Sequence, residues 1–94
     1  MPKAYVIVTE EIKDEAGMAA YARAAMPTLA EATVLAVNSP EVLEGEWHGD
    51  RTVLLEFESV EAAKAWYESE AYQQQAKPLR QAAADCNGVI LTGL

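Results

Sequence analysis

Arg51-Thr52-Val53-Leu54-Leu55-Glu56-Phe57 is followed, after Glu58, by Ser59-Val60-Glu61-Ala62-Ala63-Lys64-Ala65-Trp66-Tyr67-Glu68. The first seven residues are mostly β-branched, aliphatic or aromatic and hold no Gly or Pro, which predicts a strand. Ser59 is a favoured N-cap, and Glu61 in the first turn complements the helix dipole, so a helix is expected to about Glu68. A strand that gives way so quickly to a capped helix is half of a β-α unit. The remaining elements can be read outward from it.

Toward the N-terminus, His48-Gly49-Asp50 has the composition of a turn. Val42-Leu43-Glu44-Gly45-Glu46-Trp47 is expected to extend the strand before it or to form an edge hairpin. Thr33 to Val37 is a strand, closed by Asn38-Ser39-Pro40. From Lys13 to about Ala30 the spacing is helical, with Met18, Tyr21, Ala22, Ala25, Met26 and Leu29 on one face and Asp14 and Glu15 in the first turn. Pro27 should kink or end that helix near Met26. Ala4-Tyr5-Val6-Ile7-Val8-Thr9 is the first strand. Toward the C-terminus, Ser69 can cap a further helical piece with Tyr72, Ala76, Leu79 and Ala83 on one face, split by Pro78. Val89 to Thr92 is the last strand, with Gly88 at its entrance. The order is β-α-β-β-α-β, which predicts an α+β fold of the ferredoxin-like kind with a four-stranded antiparallel sheet. At 94 residues the chain is expected to form one domain, 1–94.

Helices can cover only one face of such a sheet. A sheet with its other face in water would alternate apolar and polar residues along each strand. Here both parities are largely apolar: Tyr5 and Ile7 oppose Val6 and Val8, Leu35 and Val37 oppose Val34 and Ala36, and Val89 and Leu91 oppose Ile90. A homodimer through the helix-free face, closing a dimeric α/β barrel, is the expected outcome.

Composition removes other partners. The net charge is −8, from 15 acidic and 7 basic residues, and no two of the basic residues are adjacent. Neither nucleic acid nor an anionic membrane surface is expected as a partner, since both need a clustered cationic face. The acidity serves solubility. The single cysteine, Cys86, rules out an intrachain disulfide, and beside Asp85 it is expected to be a small packing residue and not a reactive thiol. The opening Met-Pro-Lys-Ala-Tyr lacks a charged and then apolar export pattern, and no apolar run is long enough to span a bilayer, so a cytoplasmic location is expected.

Lys3-Ala4-Tyr5-Val6-Ile7-Val8, the run Val42–Trp47 with Arg51–Phe57, the segment Ser59–Tyr72 and Leu79-Arg80-Gln81-Ala82-Ala83-Ala84-Asp85 together resemble the bacterial family called domain of unknown function 1330. The resemblance covers nearly the whole chain. It implies a ferredoxin-like fold and a homodimer within the dimeric α/β-barrel superfamily, and it implies no activity. That superfamily spans heme-degrading and quinone-forming monooxygenases, muconolactone isomerase-like enzymes and stress-response proteins, so chemistry has to be argued from the site.

His48 is the only histidine, the residue type suited to proton transfer near neutral pH. With Glu44 upstream and Asp50 and Arg51 beyond, it suggests a catalytic set: His48 as acid or base, Arg51 pairing with a substrate carboxylate, and Glu44 or Asp50 orienting the imidazole. An exposed turn with ordinary polar residues is the competing account. Tyr5, Tyr21, Trp47, Trp66 and Tyr72 are expected to wall a substrate pocket, because Tyr and Trp bring polar handles that a plain core does not need. Scattered carboxylates, one His and a distant Cys show no metal-ligand spacing, and the isolated glycines form no phosphate loop, so neither metal nor organic cofactor is expected. The expected function is a dimeric small-molecule-binding domain, extending to a cofactor-independent enzyme for a small organic acid or enolisable compound. The alternative is a non-catalytic, stress-related ligand-binding or structural dimerisation module.

Overall fold

Strand β1 (Ala4–Ile12) occupies an inner position of the sheet, with β3 (Arg51–Phe57) on one side and β4 (Ala84–Thr92) on the other. Strand β2 (Thr33–Asn38) flanks β3, giving the order β2-β3-β1-β4 with every neighbour antiparallel. This is the ferredoxin-like α+β arrangement. The computed structural model describes residues 2–94.

Three helices cover one face: α1 (Glu15–Ala25), α2 (Val60–Glu68) and α3 (Lys77–Ala83). Local chemistry sets their ends. The Asp14 carboxylate accepts from the Gly17 N–H (3.1 Å), and Ser59 Oγ accepts from the Ala62 N–H (3.1 Å). Each satisfies one of the donors that a helix start leaves unpaired. Pro27 ends α1 at Ala25, and Met26–Leu29 tighten into a 3₁₀ turn. Pro78 is the second residue of α3, and the helical run passes through it without a break instead of being split there. Between α2 and α3, Ala71–Ala76 form a π-helical turn.

The core fills the space under the helices. Ala4 and Val6 of β1 meet Leu55 and Phe57 of β3 and Ala63 of α2. Met18 packs with Ala83 and Ala84, while Ala25 packs with Tyr72 and Ala76. These strand residues share one parity, and Tyr5, Ile7, Leu54, Val89 and Leu91 point to the helix-free face.

Four expectations need correction. Residues 42–47 form no strand; they belong to a loop that crosses the helix-free face. Strand β4 begins at Ala84 and not at Val89, because pairing with β1 continues to Ile12, and Gly88 is therefore mid-strand. A β-bulge between Val34 and Ala36 resets the parity of β2, so Val34 and Val37 share a face that was expected to alternate. Leu79 was placed on the buried face of the last helical segment, but Arg80 is buried there and Leu79 is exposed. The π turn holds more residues per turn than an α-helix, which delays the inward-facing position by one.

Gly49 controls how the crossing loop lies on the sheet. Its φ is +86°, and a Cβ would fall 2.5 Å from the carbonyl oxygen of Glu10. The close approach lets the Asp50 N–H donate to that oxygen (2.7 Å) and Asp50 Oδ2 accept from the Ile12 N–H (3.0 Å). Gly49→Ala is expected to cost at least about 1–3 kcal/mol from the strained φ alone. A urea-unfolding midpoint that falls with an unchanged m-value would show it; an unchanged midpoint would mean that the loop does not depend on this contact.

Candidate functional site

The two faces of the sheet carry different chemistry, and the residues expected to work together divide between them. On the helix-free face the loop lays Trp47 and His48 over β1 and β3. Trp47 Nε1 donates to Thr52 Oγ1 (2.9 Å), and His48 Nδ1 shares a hydrogen bond with Thr9 Oγ1 (2.7 Å). With Ile7, Asn87 and Val89 they border a shallow hollow of about 230 Å³. Tyr5 also lies on this face.

Arg51 projects from the opposite face. Its Nε donates to Glu10 Oε1 at 2.9 Å, and Glu10 is only 2% exposed. The two residues are direct cross-strand partners, so register alone sets the pair. The group expected to hold a substrate carboxylate is engaged by a carboxylate of the chain itself. Glu44 is exposed in the loop and makes no side-chain hydrogen bond among the described residues. His48, Arg51 and Glu44 are thus not gathered into one site.

The other aromatic residues are brought together under the helices. Trp66 stacks on Tyr72 (centroids 4.4 Å apart) and on Phe57 (5.4 Å), and Tyr67 lies 5.5 Å from Tyr72. Trp66 Nε1 donates to Thr28 Oγ1 (2.9 Å), tying α2 to the 3₁₀ turn. Trp66, Tyr67 and Tyr72 form one wall of a cleft of about 600 Å³ between the helices and the β1–β4 side of the sheet. Val6, Val8, Gly88 and Ile90 form its floor. Tyr21 stands behind Tyr72, and the two hydroxyls bond at 3.0 Å. Burial pushes the Tyr21 phenol well above its usual pKa, and the bond to Tyr72 adds to this, so Tyr21 stays protonated.

Arg80, which sequence reasoning missed as a site residue, lines this cleft. It is 8% exposed, and its Nε donates to the Tyr72 hydroxyl (3.2 Å). Among the described residues no carboxylate lies within ion-pair distance of it. Among the described residues the bond to Tyr72 is its one side-chain hydrogen bond to oxygen, the Cys86 sulfur also lies beside the guanidinium, and Arg80 lines the cleft. Burial opposes the Arg80 charge, hydrogen bonding to Cys86 and Tyr72 favours it, and the guanidinium stays protonated. Cys86 lies on the cleft floor, where burial pushes its thiol up despite Arg80 nearby. It is therefore a neutral neighbour and not a counter-charge. The only sequence signal for Arg80 was its spacing of eight from Tyr72, a cation on an otherwise apolar helix face.

Lys77 stands at the cleft mouth, with Nζ 5.0 Å from the centre of the Tyr67 ring and 3.3 Å from Gln73 Oε1. Asp85, also at the rim, is paired with Lys13 (3.2 Å). The cleft thus offers an aromatic wall, an apolar floor and, among the described residues, a buried cation with no paired carboxylate. Among the described residues no group of three or more His, Cys, Asp or Glu side chains could hold a metal ion, and no helix is long and apolar enough to cross a membrane.

Several solved structures share this fold. A protein of unknown function from Rhodopseudomonas palustris superposes with a TM-score of 0.80 at 21% identity, over 99% of this chain and 83% of its own. A dimeric ferredoxin-like protein of unknown function from Jannaschia sp. CCS1 gives 0.68 at 19% identity, over 95% and 97%. A protein from Nitrosomonas europaea, provisionally described as an antibiotic biosynthesis monooxygenase, gives 0.62 at 21% identity, over 98% and 90%. No curated protein matches the chain with significance. Residues 3–94 match the model of one family over nearly the whole length, and the chain belongs to that family, described as domain of unknown function (DUF1330).

Proposed function

We propose that this chain is a homodimeric small-molecule-binding domain that takes a small organic anion into the cleft beneath its helices. Arg80 carries the reading. A buried cation without a counter-charge costs several kcal/mol, and an anion in the cleft removes that cost. A guanidinium is a planar donor fork of the kind that suits a carboxylate. Capture of an anion by a chain of net charge −8 then depends on this local field and not on the overall charge.

Binding is favoured over proton abstraction by what the cleft lacks. Glu10 is held by Arg51, the Cys86 thiol is pushed up, and His48 lies across the sheet. The Tyr21–Tyr72–Arg80 chain supplies donors that would also stabilise an enolate, so turnover of an enolisable acid is the second reading. Dimerisation is supported by the apolar helix-free face and by the dimers described for the Jannaschia protein and for a Thermobifida fusca protein of the same fold.

Thermal unfolding in the presence of small organic acids and their uncharged amides tests the binding reading. Acids at 100 times Kd should add about 2.7 kcal/mol of stability. For a chain of this size that means a rise in Tm of roughly 10–20 °C. Amides should give little. Equal shifts from acids and amides, or none from either, would overturn it. Saturable loss of an acid that disappears in Tyr72→Phe would move the assignment to an enzyme.

A further inference from the structure

The shape of the cleft narrows the ligand beyond its charge, and this step rests on the anion-binding reading above. We propose that the cleft is built for a flat aromatic monocarboxylate, its ring lying between the Trp66–Tyr67–Tyr72 wall and the strand floor and its carboxylate on Arg80. Three observations converge. The wall is formed by rings in mutual contact, with Trp66–Tyr67 centroids 6.2 Å apart and both closer to Tyr72. Ring faces and edges reward a second planar ring over a puckered one of the same size. Among the described residues Arg80 is the one buried cation that lines the cleft without a paired carboxylate, whereas Lys77 is half-buried with its Nζ on the Tyr67 ring and Gln73. One carboxylate, and not two, fits that charge.

The floor supplies the third observation. Gly88 pairs with Val8 and so faces the helix side, in the middle of a strand where glycine is a weak choice. A Cβ built there meets only the Ile7 carbonyl oxygen at 3.8 Å and Val8 Cγ2 at 3.9 Å, which is ordinary contact. Neither backbone strain nor crowding demands a glycine. The missing side chain leaves the floor low opposite the aromatic wall, which opens a slot of the kind a planar ring occupies.

Because the position tolerates a side chain, Gly88→Ile fills the slot without opposing the fold. Titration calorimetry with benzoate and 2-naphthoate, against cyclohexanecarboxylate, acetate and benzamide, is the test. Trp66 fluorescence in a Trp47→Phe background gives a second readout. Benzoate is expected to bind about tenfold more tightly than cyclohexanecarboxylate. It should exceed benzamide by about ten- to a hundredfold, and Arg80→Gln should lose a similar factor. Gly88→Ile should abolish binding while its Tm holds or rises, which keeps the test informative if Arg80→Gln fails to fold. If cyclohexanecarboxylate binds as well as benzoate, the aromatic class is overturned and the anion site stands. If benzamide matches benzoate, the anion site itself falls. Binding of benzoate to Gly88→Ile with unchanged affinity would move the ligand out of this cleft and overturn the proposal.

Discussion

Tyr72→Ala is expected to lower stability by about 3–5 kcal/mol, the range for removing a large side chain from a packed interior. Tyr72 is 1% exposed, and no other large side chain of the π turn reaches the core. Its ring touches Trp66, Tyr67 and Tyr21, so its loss opens a cavity at the junction of α1, α2 and α3. Its hydroxyl accepts from Arg80 and bonds Tyr21, and those two groups would be left in the cavity with no partner. Since whole-domain stability is typically about 5–15 kcal/mol, the variant should be near the edge of folding. Tyr72→Phe separates the two contributions: it keeps the ring and should cost about 1–3 kcal/mol, the penalty for stranded polar groups. Urea unfolding measures both. A cost below about 1 kcal/mol for Tyr72→Ala would mean that the π turn is not packed as described.

The same turn shows where sequence reasoning stops. The β-α-β-β-α-β succession and the two-sided apolar character of β1, β3 and β4 were legible, because each rests on local patterns of residue types. The Ser59 cap and the break at Pro27 were legible for the same reason. Which residue faces inward after Ala76 was not. That phase depends on six residues, Ala71–Ala76, adopting a wider turn, and no residue in that stretch announces it. A cation on a helix is normally solvated, so residue type favours Leu79 over Arg80 for the inward face. The candidate site was half legible for a different reason. Trp66 and Tyr72, grouped by residue type as pocket walls, lie side by side in the structure. Tyr5 and Trp47 were grouped with them although strand parity and a loop crossing place both on the opposite face. The position of His48 depends on the approach of Gly49 to Glu10, a contact between residues about forty positions apart. No spacing rule reaches that far.

Leu91→Asp is expected to convert the protein from a dimer to a monomer at micromolar concentration, read as a halved mass by light scattering. Leu91 and Val89 are 51% and 52% exposed on the helix-free face, beside Tyr5 and Ile7. Apolar area contributes about 25 cal/mol per Å², and a standard interface removes about 800 Å² from each partner. A face of this composition is therefore worth covering. In a twofold dimer each substitution is made twice. Two carboxylates would be pressed into an interface with no cation on that stretch of β4 to meet them, and an unpaired buried charge costs several kcal/mol. The hollow beneath Trp47 and His48 opens on the same face, so the loop should contribute to the contact as well. Leu79→Asp, on the outer side of α3, is the matched control and should leave the mass unchanged. A monomeric parent protein would remove the dimer altogether. A Leu91→Asp protein that stays dimeric would keep the dimer and move its interface away from the sheet, which would leave the apolar parity of β1 and β4 without a physical account.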